Sequence, residues 1–387
     1  MRRRTALING RVVTARTVID KGTLLLEEGR IERIFDKPPE LPEGSVEIID
    51  CSGKIVMPGF IDLHTHGGIG CDFADGEEIL PALSNYYFSH GVTSLLATLS
   101  PLPYSLLKPA VERIANYCID KKGNTNIYGL HLEGPYINKE MCGGNQRDYV
   151  EAPNIDEWSK VRETGKGLIK LMTLAPELPG VLPIIKDSIT NGIIISIGHS
   201  KASGDIMVQM ISMGAKQVTH LFNSMPQLHH REDGILLETL LSEKIDAQII
   251  ADGIHVHPKA IEMAIRLKTP DHILLITDST RATQVGDGEY VSAGRKVVVK
   301  GGAVRSEDGA LAGSTLVMEK GLAYLSRTVG IDLVEASKMT SLTAARSLGI
   351  EKVTGSVEEG KRADLVVLDD EFNVNLTMLG GEIKYTS

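Results

Sequence analysis

Eight short apolar runs, separated by longer polar segments of helical character, occupy the chain from residue 59 onward and restrict the folds open to it. They are "GFIDLH" (59–64), "VTSLLATLS" (92–100), "IYGLHLE" (127–133), "IKLMTLAPE" (169–177), "IIISIGH" (193–199), "QVTHLF" (217–222), "AQIIADG" (247–253) and "HILLITD" (272–278). Strand-length apolar runs alternating with helical segments are the pattern of repeated βα units around a parallel sheet. Eight units predict a closed (β/α)8 barrel of the TIM-like kind, whose usual length of about 250 residues matches this span. An open doubly wound sheet is the alternative. Its GxGxxG turn belongs after the first strand, where "HTHGGIG" puts histidines instead.

The two ends of the chain read differently. "TALINGRVVT" and "GTLLLEEGRIERIF" are short runs punctuated as antiparallel strands are, and "GSVEEGKRADLVVLD" near the C-terminus has the same character. Neither flank can bury a core alone, so the expectation is a small β-sandwich domain built from residues 1–58 plus 352–387, with the catalytic barrel over 59–351. Helical segments near 315–328 and 332–348 join the last barrel strand to the returning chain.

Composition excludes several classes of partner. With 387 residues, 42% of them hydrophobic, a sizeable core is available, while a net charge of −9 without a dense basic cluster argues against nucleic acid or an anionic membrane. The start, "MRRRTALING", lacks the apolar core of a signal peptide, and no apolar stretch has membrane-crossing length, so the expected compartment is the cytoplasm. Cys51, Cys71, Cys118 and Cys142 are scattered without a CxxC pair, which fits reduced thiols there.

Active sites of such barrels lie at the carboxyl ends of the strands, and there the polar residues are concentrated. The first run ends in His64 and His66, which share a face because side chains two apart on a strand point the same way. The third ends in Glu133, the fifth in His199, the sixth carries His220, the seventh precedes Asp252 and His255, and the eighth ends in Asp278. Histidine and carboxylate at one rim predict a mononuclear or binuclear metal site. A carboxylate ending an apolar strand, as Glu133 does, is costly to bury unless paired or metal-bound. His90 and His272 read as structural, and His131 as a residue that supports a ligand by a hydrogen bond. Lys170 opens the fourth run, on the wrong side to bridge two metals, which leaves that task to Glu133. "SIGHS" is not GxSxG, so Ser200 is not read as a nucleophile, and "MCGGNQ" lacks the GK[ST] ending of a phosphate loop and reads as a substrate loop.

In order, "MPGFIDLHTHG", "HLEGPYI", "IGHS", "THLFNSMPQLHHREDG", "ADGIHVHP", "TDS" and "DGALAGST" resemble the blocks of the N-acetylglucosamine-6-phosphate deacetylases of the amidohydrolase superfamily, nearly end to end. The resemblance implies a divalent metal (zinc, iron, manganese or cobalt) held by Glu133, His199 and His220, with His64 and His66 matching a second position that only some members keep. It implies an acid–base role for Asp278, and substrate contacts from Asn145, Asn223, Ser224, Arg231, His255, Ala312, Gly313 and Ser314. Asn223 and Arg231 fall where the family holds the phosphate of a phosphorylated amino sugar, and the arginine can come from a neighbouring subunit, which implies a homodimer. Asn145 departs from the histidine or glutamine of many relatives and leaves the choice between glucosamine and galactosamine substrates open, as well as other amide substrates of the same barrel.

Overall fold

The computed structural model describes residues 4–37, 39 and 46–387; the opening Met1–Arg3 lies outside the described residues. Eight parallel strands form the barrel wall: β1 (Phe60–Thr65), β2 (Val92–Leu99), β3 (Ile127–Glu133), β4 (Ile169–Leu174), β5 (Ile194–Ile197), β6 (Gln217–Val218), β7 (Asp246–Ile250) and β8 (Ile273–Ile276). Each pairs with its neighbour in sequence, as βα units require. All eight match the apolar runs. β6 is only two residues long because regular pairing with β7 stops at Val218; Thr219 N–H still donates to the Ile197 carbonyl at 2.9 Å, and the chain turns at His220.

Closure between β8 and β1 rests on the segment just beyond β8. Asp278 N–H donates to the His64 carbonyl at 2.8 Å, and the Thr277 hydroxyl donates to Asp62 Oδ2 at 2.6 Å. Asp62 Oδ1 also accepts the His64 N–H at 3.2 Å. The fully buried Asp62 thus clips the seam, its carboxylate satisfied by hydroxyl and backbone donors as a buried charge must be.

Outside the wall, helices such as Tyr104–Asp120 and Ile155–Thr164 bury one apolar stripe against the strands. Trp158 shows the packing: its ring is fully buried, and its one polar atom donates to Asp187 Oδ2 at 2.8 Å. The two expected helical stretches run over 318–329 and 333–347.

Strands from both chain ends join in one eight-stranded sheet. Ile55–Pro58 pairs antiparallel with Leu365–Leu368, placing Val56 opposite Val367, and the sheet continues through Arg4–Val13 on one side and Val374–Leu379 on the other. It has a core of its own that includes Leu7, Leu24, Ile31, Val367 and Met378. A four-stranded antiparallel sheet, Gly288–Ser292, Arg295–Lys300, Ala303–Ser306 and Leu311–Ser314, stands between β8 and the last helices and was not anticipated from the sequence. Among the described residues no helix is long and apolar enough to cross a membrane. The four cysteines are free thiols, and burial pushes Cys51 up to about 11 and Cys118 up to about 12.

Candidate metal centre and its cavity

His64 and His66 project from the end of β1 onto one face, with their Nε2 atoms 3.3 Å apart. Glu133, the last residue of β3, reaches between them and two more histidines. Its Oε1 lies 3.0 Å from His199 Nε2, 3.2 Å from His220 Nε2 and 3.3 Å from His64 Nε2, and its Oε2 lies 3.5 Å from His66 Nε2. Two groups able to hold a metal result, His64–His66–Glu133 and Glu133–His199–His220, and they share the glutamate.

The backbone delivers the other side chains by a different route. His199, His220 and Asp278 all follow strand ends in left-handed conformations, with φ of 48°, 31° and 50°. Non-glycine residues rarely adopt this region, and such strain collects at functional sites. Each turn swings its side chain from the barrel wall across the mouth.

Outer partners decide which ring nitrogen is free. His199 Nδ1 donates to the Met141 carbonyl at 2.7 Å, leaving the Nε2 lone pair facing inward. His64 Nδ1 donates to Gln248 Oε1 at 3.1 Å; the Gln248 amide is oriented by its own bond to Gln217 Oε1 at 2.8 Å. Ser100 Oγ lies 3.1 Å from His66 Nδ1. His220 Nδ1 is buried with no partner among the described residues. The Nε2 atoms of His199 and His220 approach to 3.0 Å beside a carboxylate oxygen, an arrangement of lone pairs that a cation between them would satisfy. The donor set therefore fits a divalent metal with imidazole and carboxylate ligands.

Electrostatics agree. Burial alone would raise Glu133 and Asp278, but the surrounding histidines outweigh it and hold both carboxylates below their usual range. Burial works the other way on His64, yet Asp278 and Glu133 raise it to about 9. The pocket is a well of negative potential that a cation would occupy.

The centre opens into a cavity of about 390 Å³ lined by nine of the residues singled out above as ligands, acid–base group or sugar contacts, in addition to two from the last sheet: His66, Glu133, Asn145, His199, His220, Asn223, Ser224, His255 and Asp278, with Ala312 and Gly313. His64 lies fully buried beneath it. His255 is fixed by Asp252, whose Oδ2 accepts from His255 Nδ1 at 2.6 Å while Oδ1 accepts the backbone N–H groups of Ile254 and His255, so Nε2 is left for the cavity.

Two residues, Ser314 and His131, stand elsewhere than expected. Ser314 is buried and spends its hydroxyl on the Thr277 carbonyl at 2.6 Å, while its N–H holds the Asp278 carbonyl at 2.7 Å, so it anchors the Asp278 backbone instead of reaching the cavity. Arg231 is exposed outside the cavity, its guanidinium 2.8 Å from His230 Nε2. His131 bonds no ligand: its ring nitrogens go to Thr98 Oγ1 at 3.2 Å and Thr173 Oγ1 at 2.8 Å, and it packs edge-on against His64. Its threonine partners lie one strand away on either side, so the interior hydroxyls claim it first. His90 pairs with Glu319 at 2.7 Å and His272 with Asp246 at 2.8 Å, both away from the cavity. Lys170 lies at the start of β4, bonded to the Gly167 carbonyl. Gln248, Ser100 and the Met141 carbonyl escaped the sequence reading; for Gln248 the signal was an amide inside an apolar strand.

Comparison with known proteins agrees with this architecture. The model of the amidohydrolase family matches residues 55–384. The chain is 33% identical over 380 residues to the N-acetylglucosamine-6-phosphate deacetylase of Bacillus subtilis, covering 97% of this chain and 96% of the relative. It is 32% identical over 374 residues to the N-acetylgalactosamine-6-phosphate deacetylase of Escherichia coli O157:H7, covering 96% of this chain and 97% of the relative. The crystal structure of the N-acetylglucosamine-6-phosphate deacetylase from Pasteurella multocida superposes with a TM-score of 0.93 at 31% identity, over 99% of this chain and all of that one. With the barrel, the shared-glutamate centre and matches over almost its whole length, the chain belongs to the amidohydrolase family and, within it, to the N-acetylglucosamine-6-phosphate deacetylases.

Proposed function

We propose that this chain removes the acetyl group from N-acetyl-D-glucosamine 6-phosphate, giving glucosamine 6-phosphate and acetate. The observation that carries the reading is the convergence of Glu133, His199, His220 and Asp278 at the floor of one cavity, in a chain whose full-length relatives bear that name. Glu133, His199 and His220 would hold a divalent metal, and His64 with His66 a second one sharing Glu133. Such a metal supplies Lewis acidity, which polarises the amide carbonyl and makes water more acidic.

Asp278, kept ionised by its histidine neighbours, takes the proton as water oxygen bonds to the carbonyl carbon. It returns that proton to the sugar nitrogen as the C–N bond breaks, because an unprotonated amide nitrogen is a poor leaving group. His255, its Nδ1 committed to Asp252, presents Nε2 to the sugar and the carbonyl. Asn145, Asn223, Ser224, Ala312 and Gly313 line the same cavity and supply the sugar contacts. Arg231 lies outside the cavity of its own chain, so its role at the substrate phosphate calls for a second copy, and we infer a homodimer. Four free thiols suit the cytoplasm.

The test is acetate release by the metal-loaded protein from the 6-phosphate, its unphosphorylated analogue and the C4 epimer. Asp278→Asn should lower kcat about 10²–10⁴-fold with metal content unchanged. No acetate from any of the three sugars sinks the proposal. A second reading, the galactosamine epimer as preferred substrate, is favoured by Asn145 in the cavity wall and by the E. coli O157:H7 relative; the epimer's larger kcat/KM would establish it.

A further inference from the structure

At the opposite end of the barrel from the histidines, the starts of β2, β3 and β4 and the loops feeding them enclose a second cavity of about 510 Å³. Among the described residues, four cations line it, Lys122, Lys166, Lys170 and Arg362, and no carboxylate does. In a chain of net charge −9 this segregation of positive charge requires a cause. Among the described residues, none of the three lysines forms an ion pair. Lys166 Nζ donates to Asn116 Oδ1 at 2.6 Å, and Lys170 Nζ donates to the Gly167 carbonyl at 2.8 Å while lying 5.9 Å from the centre of the Tyr128 ring. Both hydrogen-bond partners are uncharged. Among the described residues, Arg362 alone of the four has a carboxylate partner, Asp364, at 2.6 Å.

Lys170 is half-buried, and burial holds it below the ordinary lysine value. Three like charges kept around one hollow repel one another, and an anion with several oxygens would offset that cost. Ser94 adds a hydroxyl to the wall. The remaining wall is apolar, with Ile119, Leu168, Leu379 and the Tyr128 ring. The volume lies within the range of about 300–1,000 Å³ typical of small-molecule sites, so there is space for an organic body beside the charged group.

We propose that this cavity is a second, non-catalytic site for a small phosphorylated organic anion, its phosphate among Lys122, Lys166 and Lys170 and its body against Tyr128 and Leu168. It is reached from the face of the barrel opposite the metal centre. The reading stands apart from the deacetylase assignment, because it concerns binding and not turnover.

Titration calorimetry on the full-length, metal-loaded protein tests it, with adenosine 5′-monophosphate as a phosphate bearing an organic body and inorganic phosphate as the charged group alone. The expected result is saturable binding of the nucleotide, weakened by salt and competed by inorganic phosphate. Binding should fall roughly tenfold or more in Lys166→Gln/Lys170→Gln, from the loss of charge-assisted hydrogen bonds, and stay unchanged in Asp278→Asn. Lys122→Glu, at an exposed position, gives a second variant that keeps the fold and should weaken binding too. Unchanged melting temperature and acetate release would show each lysine variant intact. No saturable binding of either probe overturns the proposal, and so does equal affinity in the lysine variants and the parent, which would put the anion elsewhere.

Discussion

Replacing Gln248 with methionine should loosen one metal and spare the other. In the parent, Gln248 Nε2 is committed to Gln217 Oε1 at 2.8 Å, and Gln217 Nε2 in turn donates to Ser347 Oγ at 2.5 Å. The relay leaves only Gln248 Oε1 to face His64 Nδ1, so the Nδ1 proton is held there and Nε2 is free to bind. Methionine matches the length of glutamine and offers no comparable acceptor. Without metal, His64, raised to about 9, is protonated on both nitrogens and escapes the loss by giving up the Nδ1 proton while keeping the one on Nε2, which has Glu133 Oε1 at 3.3 Å and Asp278 Oδ1 at 3.4 Å as acceptors. With metal that escape is closed, and a buried Nδ1–H stands unpaired at a cost of about 1–3 kcal/mol. At 1.4 kcal/mol per factor of ten, this is about a 10–100-fold loss of affinity, confined to the metal that uses His64 and His66. His199 is oriented by the Met141 carbonyl and is untouched. The assay is stepwise removal by graded chelator, with metal content read by mass spectrometry at each step. Simultaneous loss of both metals, or an unaltered profile, would refute the reasoning; Gln248→Glu, which keeps the acceptor and adds charge, should shift the weaker step the opposite way.

Replacing both His64 and His66 with alanine should leave one metal per chain on Glu133, His199 and His220, and metal analysis that finds none would make the β1 pair the primary site. In Asp252→Asn the oxygen stays with the two backbone N–H groups and the amide NH2 turns to His255, reversing its tautomer; kcat/KM should drop roughly tenfold or more with metal content unchanged. Arg295 joins the four-stranded sheet to the glycine loop through the Asn145 carbonyl at 3.3 Å and Asp308 at 3.2 Å. Arg295→Ala should raise KM by about three- to tenfold with a smaller change in kcat, and an unaltered KM would show that the loop holds its position without the arginine.

The barrel was legible because its strands are apolar on consecutive residues, and the centre because histidine and carboxylate recur where those runs stop. Strand ends are set by backbone turns that apolar runs do not mark, and β6 shows why: the run continues through Phe222 in sequence, but the chain turns at His220. His131 was misjudged since adjacency to Glu133 in sequence says nothing about the threonines across β2 and β4 that take its ring nitrogens. The sheet over 288–314 was overlooked although its pattern was present. Along Arg295–Lys300, Val297 and Val299 are buried while Lys296, Val298 and Lys300 are exposed, the period of two of a strand with one covered face. Arg231 could be located by its flanking residues, but no pattern within one chain says what an exposed arginine faces.

The clasp between Asp278 and His64 also orders events in time. The donors Glu133, His199 and His220 are all present once synthesis has passed residue 220, whereas the seam beside His64 is fastened by residues 277 and 278, more than two hundred positions after β1. Contacts of such long sequence separation form late, because the intervening loop must first be closed. A chain emerging from the ribosome can therefore assemble the three-residue site before its barrel is shut, while the β1 pair acquires its surroundings only when the cylinder closes. Were ions held at both positions, their capture would be sequential, and the second would report that the wall is complete.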